Sequence, residues 1–131
     1  MIRPYELKFI IGVILLASNS IEYRYALKNM DIKTSIKEIT RALRDRPKMF
    51  FLENPGYDTY KTYIKGFLLG LEAANDTKIS LKMTLWFQKK LNIEARYHWT
   101  EMIPIHYKDK SDDELKAILL QTLIDYAEEE L

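Results

Sequence analysis

The stretch from Tyr57 to Asn75, YDTYKTYIKGFLLGLEAAN, constrains the fold more than any other, because only a helix puts its apolar residues on one side. Tyr60, Tyr63, Ile64, Phe67, Leu68 and Leu71 recur at three- and four-residue spacing, the stripe that a core-facing helix presents. Gly66 and Gly70 sit four apart on the flank of that stripe. Each glycine costs a helix roughly 1 kcal/mol relative to alanine, so keeping both predicts a close approach by another backbone. The segment is therefore expected to be a central helix touching at least two others.

The flanking sequence continues in helical grammar. Ser35 and Glu38 form an S-x-x-E capping box, and Ile36, Ile39, Ala42 and Leu43 follow at helical spacing up to about Asp45. Arg46-Pro47 should end that helix, since a residue before proline is pushed out of the helical region. From Lys48 to Gly56 a loop or short extended piece carries Met49, Phe50, Phe51 and Leu52, of which some must plug the core. Asn54-Pro55-Gly56 is turn chemistry, and Asp58 places a favourable charge at the next helix start. Asn75-Asp76 supplies a stop. Ile79, Met83, Trp86, Phe87 and Leu91 then read as a shorter helix with Lys82, Lys89 and Lys90 facing out, while the alternation of Leu81, Met83, Leu85 and Phe87 would also allow a strand. Residues 93–107 are ambiguous between extended structure and a short helix with Trp99, Met102 and Ile103 inward and Pro104 as its stop; the helix is preferred. Ser111-Asp112-Asp113-Glu114 is a second capping box, and Leu115, Ile118, Leu119, Leu123 and Tyr126 define a closing helix to about Glu129.

The first 29 residues read as an N-terminal extension. Phe9 to Ala17, FIIGVILLA, is far shorter than the roughly 20 residues that span a bilayer. Arg3 and Lys8 before it give a faint secretory signal, but Glu6 dilutes the basic region and the cleavage pattern is poor. A buried strand turning at Asn19-Ser20 into Ile21–Leu27, an extra helix, and translation starting at Met30 are the other readings. The expected architecture is mainly α: a single compact helical domain over 1–131 with four to six helices, and room for a short extended or hairpin segment near the N-terminus.

With no cysteine, disulfides, thiolate metal sites and cysteine nucleophiles are all excluded, which fits a cytoplasmic protein. His98 and His106 have no partner at metal-ligand spacing. No nucleophile elbow, P-loop or dinucleotide fingerprint can be written from glycines at 12, 56, 66 and 70, so neither an enzyme nor a cofactor is expected. The net charge of +1 hides a split: residues 109–131 hold two lysines against eight carboxylates, whereas 31–108 hold fourteen Lys/Arg against nine Asp/Glu. The acidic end reads either as a steering surface for a basic partner or as a solvated helix face with a frayed end. Lys37, Arg41 and Arg44, with Arg46 and Lys48 beyond, make a basic stripe that could meet phosphates, but the near-neutral net charge argues against nucleic acid.

From Ser35 to Leu91 the pattern resembles a known group. A first helix running into Arg46-Pro47-Lys48-Met49-Phe50, then Tyr63-Ile64-Lys65-Gly66-Phe67 with Gly70, then Trp86-Phe87 and Leu91, a later Trp99 with Ile103 and a final acidic helix, is similar to small immunity proteins encoded beside bacterial contact-dependent growth inhibition and other polymorphic toxins. The resemblance covers roughly residues 32–129. It departs from the usual pattern at Lys48, where glycine is common, and in the extension before Met30. The resemblance implies a protein without chemistry of its own that binds and blocks one cognate toxin domain, through a surface that differs from member to member. If the toxin is basic, Asp112, Asp113, Glu114, Glu128 and Glu129 are the candidate contacts, with Tyr97 or Trp99 as an aromatic anchor. A small nucleic-acid-associated or regulatory helical protein is the alternative.

Overall fold

The computed structural model describes residues 31–94 and 97–131. The readings made for Phe9–Ala17, Ile21–Leu27, the N-terminal hairpin and a start at Met30 all lie outside the described residues. Among these residues five α-helices follow one another: α1 (Ile32–Asp45), α2 (Tyr57–Asn75), α3 (Ile79–Leu91), α4 (Trp99–His106) and α5 (Asp112–Glu130). A 3-10 turn at Pro47–Met49 follows α1, and there is no strand among the described residues. The buried apolar side chains of all five helices form one core, so the fold is mainly α and built on a single interior.

Helix α1 starts one turn earlier than Ser35 and Glu38 suggest. Asp31 is its cap, accepting hydrogen bonds from the Thr34 N–H at 3.1 Å and the Thr34 hydroxyl at 3.1 Å. Ser35 is instead fully buried inside the helix, where its amide bonds to the Asp31 carbonyl at 2.8 Å. The capping box expected there is corrected by a competing cap: Asp31 lies ahead of Ile32, which itself packs against the core. Pro47 stops the helix as expected. Of the apolar run after it, Phe50 and Phe51 turn inward, with Phe50 meeting the Tyr63 ring edge-on at 5.5 Å and Phe51 meeting Tyr60 at 5.1 Å. Met49 and Leu52 are exposed.

Helix α2 buries Tyr57, Tyr60, Ile64, Phe67, Leu68 and Leu71 against α3 and α5. Asp76 ends it in the left-handed conformation at φ 50°. The expectation that Gly66 lies at a close helix crossing is corrected: it is exposed, and a Cβ built there would meet nothing within 4 Å. Its position lies opposite the Ile64 and Leu68 side chains, on the solvent side. Centrality is also shared. Helix α5 packs against α1, α2 and α4, most extensively against α1, because its apolar residues ring much of the helix and include the buried Leu120 as well as Leu119, Leu123, Tyr126 and Ala127.

Helix α4 runs through Pro104 to His106, so proline does not stop it. Proline has no N–H and leaves the carbonyl four residues earlier, that of Thr100, without its helical donor. The buried Tyr57 hydroxyl supplies that bond at 2.6 Å. Burial, with the charges of Glu101 and Asp58 adding to it, pushes the Tyr57 phenol well above its ordinary value, which keeps it a donor.

Candidate functional site

The five carboxylates expected to meet a partner do not form one surface. Asp112–Glu114 and Glu128–Glu129 sit at opposite ends of α5, separated by about 24 Å at the rise of an α-helix. Each is engaged within the chain. Asp112 accepts the Tyr57 N–H through both oxygens at 3.1 and 3.2 Å, capping α2 where Gly56 has no side chain to do so. Asp113 stands 3.0 Å from Lys116 Nζ, which also donates to the Pro55 carbonyl at 2.9 Å and lies over the Tyr60 ring. Glu114 completes the expected capping box with Ser111, and the Ser111 N–H holds its carboxyl below the usual range.

At the far end of α5, Glu128 pairs with Lys37 and, at 3.8 Å, with Lys33. The Lys37 hydrogen bond, aided by the charges of Lys33 and Arg41, lowers the Glu128 carboxyl. Glu129 pairs with Lys90, whose ammonium also lies 4.9 Å from the centre of the Trp86 ring. The acidic end is thus stitched to α1 and α3. The basic stripe of α1 is partly consumed by the same contacts, since Lys37 belongs to Glu128, and Arg44 lies 3.9 Å from Asp45.

Trp99 is fully buried, which corrects its proposed role as a surface anchor. Its amide donates to Thr84 Oγ1 at 3.2 Å, and the following Thr100 N–H donates to His98 Nδ1 at 3.3 Å, so the tryptophan sits where α4 is fastened to α3. Burial first, and the charge of Lys65 second, hold the His98 ring below its ordinary pKa. Tyr97, by contrast, is 60% exposed.

Tyr97 borders a surface that was not singled out from the sequence. The outward side of α3 carries Leu81 and Leu85, 53% and 56% exposed, between two open grooves. One, of about 400 Å³, is lined by Ser80, Leu81, Thr84, Leu85, Gln88, Tyr97 and His98. The other, of about 500 Å³, is lined by Lys82, Leu85, Trp86, Lys89, Tyr126, Glu130 and Leu131. Leu85 is the ridge they share. The signal was present in the chain: with Ile79, Met83 and Phe87 turned inward, Leu81 and Leu85 must point away from the core. Such open, mixed grooves suit a protein surface better than an enclosed small ligand. Among the described residues no group of three or more His, Asp or Glu side chains is placed to hold a metal ion, and no helix is long and apolar enough to cross a membrane. No family model, curated protein or solved structure matches the chain.

Proposed function

We propose that the chain is an immunity-type protein that acts in the cytoplasm by binding and neutralising one cognate toxin domain, with no chemistry of its own. The observation that supports a binding role is the exposed Leu81, Leu85 and Tyr97 cluster between two grooves, since contiguous apolar surface rimmed by polar residues marks interaction sites. The toxin-specific part of the reading rests on the resemblance of the Ser35–Leu91 pattern to immunity proteins. The candidate contacts shift accordingly. Asp112 and Trp99 serve the fold, whereas Tyr97 is available to a partner.

Co-expression with the C-terminal toxin domain of a large secreted protein encoded beside this chain tests the reading. Relief of growth arrest, together with a stable complex on gel filtration, is expected. Arrest that persists, with no complex formed, removes the immunity reading. Salt-sensitive binding to mixed DNA or RNA would put the nucleic-acid-associated alternative in its place.

A further inference from the structure

We propose that the outward face of α3 docks an acidic protein segment that carries apolar side chains between its carboxylates; this deepens the binding role proposed above and rests on it. Helix α3 contains no carboxylate. Lys82 and Lys89 flank Leu85 at three- and four-residue spacing, and Lys78 precedes Leu81 by three, so the exposed ridge alternates ammonium and leucine. Among the described residues Lys82 reaches only the Thr77 hydroxyl, at 3.3 Å, and neither it nor Lys89 enters an ion pair. Nearby carboxylates are mostly engaged elsewhere. Glu72 accepts the Ser80 N–H at 2.6 Å and Glu129 holds Lys90, while Glu130 lies at the rim of one groove.

Charge complementarity therefore selects an acidic occupant, which reverses the basic partner that the acidic C-terminal sequence suggests. The leucines select protein over nucleic acid. A phosphate backbone would satisfy the lysines but bury little apolar surface, whereas an amphipathic protein segment satisfies both sets. Tyr97 on one flank and Trp86 on the other supply aromatic walls for the apolar side chains.

The test uses the full chain, isotope-labelled, titrated with a synthetic amphipathic peptide of glutamate and leucine, with its lysine-for-glutamate counterpart, with a mixed-sequence oligonucleotide and with anionic lipid vesicles. The glutamate peptide should shift the amides of Leu81, Leu85, Lys89 and Tyr97. K82E/K89E should weaken it about 10-fold or more, the scale expected when close charge pairs turn repulsive, and added salt should narrow the difference. L85D should also abolish the shifts while leaving a cooperative melting curve, lowered only by the poorer helix propensity of aspartate, since both leucine and lysine positions are exposed. Equal response to both peptides, shifts centred on another face, or tighter binding of the oligonucleotide or vesicles overturns the proposal. Toxin neutralisation that survives K82E/K89E and L85D would overturn it too, while leaving the immunity reading intact.

Discussion

Tyr57 joins Thr100 and Pro104, and the individual preferences of the three conflict. Pro104 withholds an amide, Thr100 is left with a carbonyl facing the interior, and the Tyr57 phenol, buried at 4% exposure, needs an acceptor. Each need answers another. Tyr57→Phe should cost about 1–3 kcal/mol in urea unfolding, the range for stranding a buried polar group. In a Pro104→Ala background, where residue 104 regains an N–H four positions after Thr100, that cost should shrink, and an unchanged cost would sink this account. Gly66 carries a second prediction. Because open space surrounds it, Gly66→Ala should raise stability by about 0.5–1 kcal/mol through helix propensity, read as a higher urea midpoint. Phe67→Ala, at 3% exposure, should lose about 3–5 kcal/mol by the same measurement. The buried identity of Phe67 was legible from periodicity alone. The exposure of Gly66 also follows from spacing, since a residue two positions from both Ile64 and Leu68 points to the far side of the helix rather than to the flank of the stripe. Which hydroxyl answers the Thr100 carbonyl does not, because Tyr57 lies 43 positions away.

Helix starts show the same divide. The Ser111–Glu114 box caps α5 through residues three apart, and local spacing reveals it. The starts of α2 and α3 are capped from elsewhere: Asp112 serves Tyr57 across 55 positions, and Glu72 serves Ser80 across a turn. No local pattern announces such caps, because the folded chain alone brings donor and acceptor together. Their consequence is that α5 does two things at its first turn, with Glu114 capping its own helix and Asp112 capping α2. Asp112→Ala should therefore cost about 0.5–2 kcal/mol, the usual effect of losing a cap, and should speed hydrogen exchange at the Tyr57 amide. Asp112→Asn, which keeps an acceptor oxygen, should recover part of the loss. If exchange quickened instead within α5, the carboxylate would be serving its own helix rather than α2. The helical continuation through Pro104 escaped sequence reading for a related reason, since the residue that rescues it belongs to another helix.

Across the chain, the charge split was legible, but its use was not. The surplus of carboxylates near the C-terminus faces lysines of α1 and α3, so much of it acts as internal stitching, and Lys82 and Lys89 of α3 are among the cations left without an ion pair among the described residues. This arrangement ties stability to pH in two stages. His98 must stay neutral for Nδ1 to accept the Thr100 N–H, and its pKa is lowered from 6.5 by burial and by Lys65. The unfolded chain takes up this proton first, so the His98 contribution is complete above about pH 6.5 and is lost as pH falls through the lower folded value. Glu128 and Glu114 are lowered from 4.5 by hydrogen bonds from Lys37 and Ser111, and Glu101 is also lowered, where bonds from Lys61 and Lys65 overcome the upward push of burial. Their contribution is present above about pH 4.5 and fades below it. Urea unfolding at stepped pH should accordingly show a plateau near neutrality, a first decline beginning near pH 6.5 and a steeper one beginning near pH 4.5. His98→Asn separates the stages: asparagine is a good N-cap and does not titrate in this range, so the first decline should vanish while the second remains. A first decline that persists in His98→Asn would mean that another group carries it, and that the neutral imidazole is not what fastens the start of α4.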